Sequence, residues 1–295
     1  MTDRIRPARR TARGRLRALP FLGPGVLFLT LFMAVPVALL FVYSFFTRGR
    51  FGGVQFTFTT ENFAKLLDPL YTGVIVQSVG MALIVTLLAL LLGYPIAYAI
   101  TRLPPRWRTV ALIAIVLPFW TNFLIRTYAW ILLLNNAGIV NQSLQGLGII
   151  DAPLPLLYNG GAVAVGLLYM YLPLMVLPLY ASLQAVDPSL REAATNLGST
   201  PWRVFRTVTL PLSLPGALTG AIFVFVPSMS NFVIPELLGG GKMILIGNLI
   251  RDQFLEARDW PFGATLALVL TAFLALLIVG QSRVSRRLSG GGRRG

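Results

Sequence analysis

The chain is 295 residues long, 56% hydrophobic and 12% charged, with a mean hydropathy of +0.74; this is too apolar for a soluble domain and fits an all-α polytopic membrane protein with six transmembrane helices of roughly 20 residues each. A net charge of +15 would suit nucleic acid, but the arginines sit at both termini and in short loops beside apolar runs, a pattern that reports topology and argues against a nucleic-acid partner. With no cysteine and no histidine there is no disulfide framework, thiol nucleophile, imidazole ligand or His proton relay, so no catalytic and no metal-binding residue is assigned.

Residues 1–20 carry seven arginines against Asp3 and read as a disordered basic tail lying on anionic membrane lipid at the cytoplasmic face. The pair Arg9 and Arg10 looks like a twin-arginine signal. The apolar run that follows, 21–46, is longer than a signal-peptide core and lacks an A-x-A site, so it is taken as a retained first span. Next comes a polar loop, 47–72, in which FGGVQFTFTT alternates like a short strand and Thr60-Glu61-Asn62-Phe63 opens a helical turn. Charge-free residues 73–100 form the second span, closed by a basic turn with Arg102, Arg106 and Arg108. The third span is expected at 110–134 and holds one charge, Arg126. A Gly/Asn-rich loop, 135–159, leads to the fourth span at 160–183. The fifth is expected at 210–235, the sixth at 260–282, and a second basic tail at 283–295.

Between the fourth and fifth spans lies a polar, helix-forming island, 183–211. Asp187-Pro188 is a helix start, Gly198 a stop, and Ser199 or Thr200 a cap for a second short helix with Pro201 in its first turn. Trp202, Val204, Phe205 and Val208 supply that helix with apolar contacts. With the N-terminus inside, the inner segments hold 18 of the 25 Lys and Arg, the outer loops six, and Arg126 is the last. By the positive-inside rule both termini and the 183–211 loop are cytoplasmic.

Within that loop, Glu192-Ala193-Ala194, three residues, Gly198, nine residues and Val208-Thr209-Leu210-Pro211 resemble the EAA loop of ABC importer permeases. Val208 stands where that family usually has isoleucine. The resemblance implies the type I importer permease fold over 21–282 and a coupling role for Glu192, Ala193, Ala194, Gly198 and Pro211, which would dock into a groove on an ATPase. In the residues' own terms, the two alanines allow close approach, Gly198 allows a tight turn, and Arg191 and Glu192 are placed to pair across or within the contact. No G-x-x-x-x-G-K-[ST] occurs, and Gly239-Gly240-Gly241-Lys242 is followed by Met243, so the chain has no P-loop. Those glycines read as a flexible external loop.

LPFWTNFLIRTYAW, YLPLMVLPLYASLQAVDPSLREAATNLG, NFVIPELLGG and GNLIRDQFLEARDWPFG are similar to spermidine/putrescine importer permeases, specifically the first permease subunit. Asn231 stands where many of those relatives carry glutamate. An unpaired arginine costs about 2.5–3.5 kcal/mol at mid-membrane, so Arg126 needs a partner, and Glu236 is the obvious one or else a ligand for a cationic solute. Trp120, Tyr128, Trp130, Tyr169 and Tyr171 fit an interfacial aromatic belt, and equally the faces that would cover the methylenes of an amine. The candidate solute path is therefore Trp120, Arg126, Tyr128, Tyr169, Asn231 and Glu236. The resemblance further implies an inner-membrane location in a bacterium, a second permease, a dimer of ATP-binding subunits and an external solute-binding protein. The chain itself would bind no cofactor, ATP and Mg being held by the ATPase. A secondary transporter is the alternative, but neither inverted repeats nor an intramembrane carboxylate relay is evident; a permease for another small solute is the other.

Overall fold

A computed structural model describes residues 12–290. The chain runs as α1 (Ala12–Tyr43), a hairpin of β1 (Phe46–Arg48) and β2 (Val54–Phe58), α2 (Glu61–Lys65), α3 (Pro69–Arg102), α4 (Pro105–Val116), a 3-10 turn (Leu117–Trp120), α5 (Phe123–Leu134), α6 (Ile139–Gly146), α7 (Gly160–Gln184), α8 (Pro188–Asn196), α9 (Pro201–Val204), a π turn (Phe205–Thr209), α10 (Leu210–Ser230), α11 (Val233–Gly239), α12 (Ile246–Leu255) and α13 (Trp260–Gly290). Six helical segments among the described residues are long and apolar enough to cross a membrane: Gly23–Tyr43, Pro69–Arg102, Phe123–Gly146, Gly160–Gln184, Pro201–Ser230 and Trp260–Ser285. The helix α1 already begins at Ala12 and α13 continues to Gly290, so the expected tails are helical where described; residues 1–11, with Arg9 and Arg10, and 291–295 lie outside the described residues.

The core is the trio α3, α7 and α10. Lipid offers apolar helices no hydrophobic reason to associate, so close van der Waals fit and interhelical hydrogen bonds hold such a bundle. Met175, Val176 and Leu179 of α7 are fully buried between α3 and α10. Gly216 lets α10 approach α7 closely: a Cβ there would stand 2.6 Å from the Pro178 carbonyl oxygen. Tyr94 of α3 and Ser213 of α10 add a hydroxyl–hydroxyl bond of 2.8 Å. By contrast α1 has no buried residue in its span and leans on α13.

Four expectations inside the chain are corrected. The 110–134 run is not one helix: Pro118 brings no N–H, the chain extends at Thr121, and the Asn122 side chain accepts from the Leu124 N–H at 2.8 Å to start α5 afresh. The fifth span ends at Ser230, because Asn231 is extended (φ −68°, ψ 132°) and its Oδ1 accepts from the Ile234 N–H at 2.9 Å, opening α11. The loop at 135–159 contains α6, whose buried Asn141 donates to the Asn135 and Leu154 carbonyls and accepts from the Leu154 N–H. Gly240 and Gly241, with φ of +59° and +73°, end α11 in left-handed turns. Their glycine content therefore reflects turn geometry rather than looseness.

Asn62, from the T-E-N-F turn, is buried and donates to the carbonyls of Ser44 (3.0 Å) and Phe46 (2.8 Å). It clips the hairpin to the end of α1 and sets both at the start of α3. The other end of α3, 34 residues and about 50 Å away, meets the loop at 185–209.

Candidate functional site

At that far end the expected turn chemistry is present. The Asp187 side chain accepts from the Ser189 N–H at 2.9 Å, with Pro188 in the first turn of α8. This bond holds the Asp187 carboxyl below its usual pKa. Its contribution to stability is therefore full above the unfolded-state pKa and is lost only as acid pH falls through the lowered folded value, so this cap does not change with pH near neutrality. Gly198 has φ +82° and an added Cβ would meet nothing within 4 Å; the turn needs glycine for its backbone and leaves the position facing outward. Thr200, not Ser199, caps the next helix, accepting from the Arg203 N–H at 3.4 Å.

That second helix is not separate. The helix α9 passes through the π turn directly into α10, with Pro211 in α10's first turn. Phe205 is the anchor that sequence reasoning undervalued. Its ring meets Tyr94 and Tyr98 of α3 edge-on at 5.7 and 5.8 Å and stacks on Trp202 at 5.5 Å, while Val204 and Thr209 are buried beside it. Aromatic contacts of this kind are worth about 0.5–1.5 kcal/mol each beyond burial. The loop is thereby fastened to two membrane helices at once. Between α8 and the end of α3 lies a cleft of about 550 Å³ lined by Tyr98, Arg102, Arg191, Glu192 and neighbours. Glu192 and Ala193 are exposed and Ala194 is half-buried; among the described residues Glu192 forms no ion pair with Arg191 or any other cation. Leu197 and Trp202 are 86% and 70% exposed, a large apolar area for a polar loop.

The opposite end departs further from expectation. Glu236 does not pair with Arg126. It accepts from Arg251 Nη1, and the same guanidinium binds Asp252 Oδ1 through Nε and Nη2 at 2.9 and 2.8 Å, with Glu256 at 3.9 Å. The reason lies in the break at Asn231: α11 is a separate short helix packed on α7 and α5, and Glu236 on it faces Arg251 of α12 rather than closing the fifth span. Asn248 reinforces this arrangement by donating to the Phe232 carbonyl at 2.8 Å. Arg126 has no carboxylate partner among the described residues. Its guanidinium lies 5.7 Å from the Phe119 ring, and Nε and Nη1 are buried without an acceptor.

Of the other predicted path residues, Asn231 donates to the Tyr171 hydroxyl at 2.8 Å, and Tyr169 packs edge-on with Trp130 at 5.5 Å. Trp120 and Tyr128 remain exposed. Arg251 was missed as a site residue. Its signal was the Arg251-Asp252 pair with Glu256 one turn on, a charge cluster within an otherwise apolar third of the chain.

A family model described as "Binding-protein-dependent transport system inner membrane component" matches residues 89–290. The chain is 42% identical over 261 residues to the spermidine/putrescine transport system permease protein PotB of Salmonella typhimurium strain SL1344, covering 88% of this chain and 91% of that one. The same identity holds for PotB of Escherichia coli K12, covering 88% and 95%. Among solved structures, a bacterial alginate ABC transporter in complex with an alginate pentasaccharide-bound periplasmic protein contains a chain that superposes with a TM-score of 0.75 at 16% identity, covering 95% of this chain and 98% of that one. At that identity the likeness is one of fold.

Proposed function

The chain belongs to the family of binding-protein-dependent transport system inner membrane components and is a multi-pass permease subunit of an ABC importer; from that premise we propose that its solute is a polyamine, putrescine or spermidine, and that residues 183–211 transmit the stroke of a separate ATPase. The observation that carries the solute reading is the 42% identity to a spermidine/putrescine permease over 88% of the chain. In this reading both termini and the 183–211 loop are cytoplasmic, a second permease completes the path, an external binding protein delivers the solute, and ATP and Mg are held and hydrolysed by the partner.

The 183–211 loop suits a lever. It is rigid within the chain, through Phe205 and the caps at Asp187 and Thr200, and apolar toward the outside, through Leu197 and Trp202. Glu192, Ala193, Ala194 and Gly198 present the docking surface, and Pro211 starts the helix that carries the motion into the core. Movement of a rigid element is the way such domains alternate access.

A polyamine is a string of ammonium charges on methylene spacers, so carboxylates must meet the charges and aromatic faces the spacers. Trp120, Tyr128 and Tyr169 supply faces, and Asn231 a neutral polar group. Glu236 supplies a carboxylate that exchanges Arg251, not Arg126, for the incoming cation. Arg126 remains a candidate path residue, set beside the Phe119 ring. Uptake of labelled putrescine and spermidine by the complete reconstituted complex tests the reading. Both amines are expected to accumulate, with Glu236→Gln and Tyr128→Ala slowing uptake. A complex that takes up neither amine but accepts an anionic or neutral solute would refute the polyamine assignment.

A further inference from the structure

The end of the molecule opposite the 183–211 loop carries a second built feature. The hairpin turn at 49–53 is docked on the connection between α12 and α13: the Gly53 N–H donates to the Arg258 carbonyl at 2.8 Å, and the Arg48 guanidinium donates to the Ala257 carbonyl. Gly52 makes this approach possible, since a Cβ there would stand 2.6 Å from Arg258 Cβ. Between the two segments is a cleft of about 440 Å³ lined by Phe51, Gly52, Gly53, Phe254, Leu255, Arg258 and Trp260.

The cleft joins exposed apolar side chains to uncompensated positive charge. Phe51 is 91% and Leu255 69% exposed, and Trp260 is partly so. Arg258 holds a left-handed backbone (φ +51°), an unusual conformation for a non-glycine residue and one that persists only where its surroundings impose it. Here it turns the arginine to the surface. The neighbouring acids do not neutralise it: Asp259 is buried, caps the Phe262 N–H and faces Lys65 at 3.9 Å, while Glu256 turns to Arg251. Arg50, the residue preceding the lining residue Phe51 in the chain, is exposed and forms no ion pair among the described residues.

The position of the cleft identifies its occupant. The first span ends at Tyr43, three residues before β1, and the last begins at Trp260, which itself lines the cleft. This places it at the edge of the hydrocarbon layer, where lipid phosphates lie. Aromatic side chains sit naturally at that depth, and arginines there attract anionic headgroups. We propose that this cleft is a binding site for an anionic phospholipid of the leaflet facing away from the ATPase, with Arg50 and Arg258 on the phosphate and Phe51, Leu255 and Trp260 against the glycerol and upper acyl chain.

The test is native mass spectrometry of the full-length chain with its second permease, titrated with phosphatidylglycerol or with phosphatidylcholine of the same acyl chains. Phosphatidylglycerol is expected to be retained preferentially. Arg50→Gln should weaken its binding roughly fivefold, and Arg50→Gln with Arg258→Asn about 25-fold, because each basic residue contributes on that scale; phosphatidylcholine binding should not change. Asparagine is chosen at 258 because it tolerates the left-handed backbone, and Arg50→Lys should retain most of the preference. Because the Arg50 side chain forms no ion pair among the described residues and is exposed, Arg50→Gln alone decides the matter if the double variant does not insert. Equal affinity for the two lipids in the wild type, or undiminished phosphatidylglycerol binding in Arg50→Gln, would overturn the site. So would a variant that keeps its lipid but loses association with the external binding protein, since that would make the cleft a protein interface.

Discussion

The two ends of this permease are organised on opposite principles. The 183–211 end is made from one contiguous segment whose caps and turn lie within a few residues of each other: Asp187 to Ser189, Gly198 alone, Thr200 to Arg203. Its polar and apolar groups then face outward, with Glu192 unpaired among the described residues and Leu197 and Trp202 exposed. The opposite end is assembled from distant segments that satisfy one another: Glu236 with Arg251, Asn231 with Tyr171, Asn248 with the Phe232 carbonyl, Asn62 with the carbonyls of Ser44 and Phe46. One end is a contiguous surface with its groups turned outward. The other is a network of groups that satisfy one another across distant segments.

If that contrast is right, substitutions at the first end should abolish function while sparing the fold, and substitutions at the second should cost stability. The largest effect is expected for Gly198→Asp. A Cβ there meets nothing within 4 Å, and aspartate enters the left-handed region at a cost of about 1–2 kcal/mol, so the subunit should insert with only a modestly lower unfolding midpoint. Solute-stimulated ATP hydrolysis in proteoliposomes should nevertheless fall about tenfold or more, the scale of a lost interface hot spot. Normal coupled hydrolysis in this variant would erase the distinction between the two ends.

Arg251→Met should behave in the opposite way. It strands Glu236 and Asp252, and with the arginine partly exposed the cost falls between that of a surface pair and a buried one, about 1–2 kcal/mol. Thermal unfolding in detergent should show a lower midpoint, and the double variant Glu236→Gln with Arg251→Met should recover part of it. A smaller loss, about 1 kcal/mol, is expected for Asn231→Ala, which removes the bond that starts α11 and the one to Tyr171. A double-mutant cycle with Tyr171→Phe should reveal coupling between the two residues; strict additivity would mean the hydroxyl–amide bond contributes nothing.

The same contrast explains what the sequence makes legible. Six spans, their order, and the caps around Gly198 follow from hydropathy and local turn chemistry, because each signal lies within the segment it shapes. The Arg126–Glu236 pairing failed because it assumed two unbroken helices. Asn122 and Asn231 each start a new helix with a side-chain cap, and both sit inside runs whose hydropathy alone reads as continuous. Once α11 is separated from α10, Glu236 belongs to a different neighbourhood, and nothing in the linear pattern connects it to Arg251. Phe205 was legible as an apolar helix residue, but its partners Tyr94 and Tyr98 lie more than a hundred residues earlier, at the end of α3. The clip formed by Asn62 is another long-range bond of this kind, although the helical turn it sits on was readable from Thr60-Glu61-Asn62-Phe63.

The absence of cysteine from the chain permits a direct test of the account's central claim, that the exposed apolar face at Leu197 is an ATPase contact on the cytoplasmic side. Leu197→Cys would be the sole thiol in this sequence. In intact cells it should resist a membrane-impermeant maleimide added from outside, react once the membrane is opened, and lose that reactivity when the ATPase subunits are bound. Labelling from outside intact cells, or equal labelling with and without the ATPase, would contradict the account.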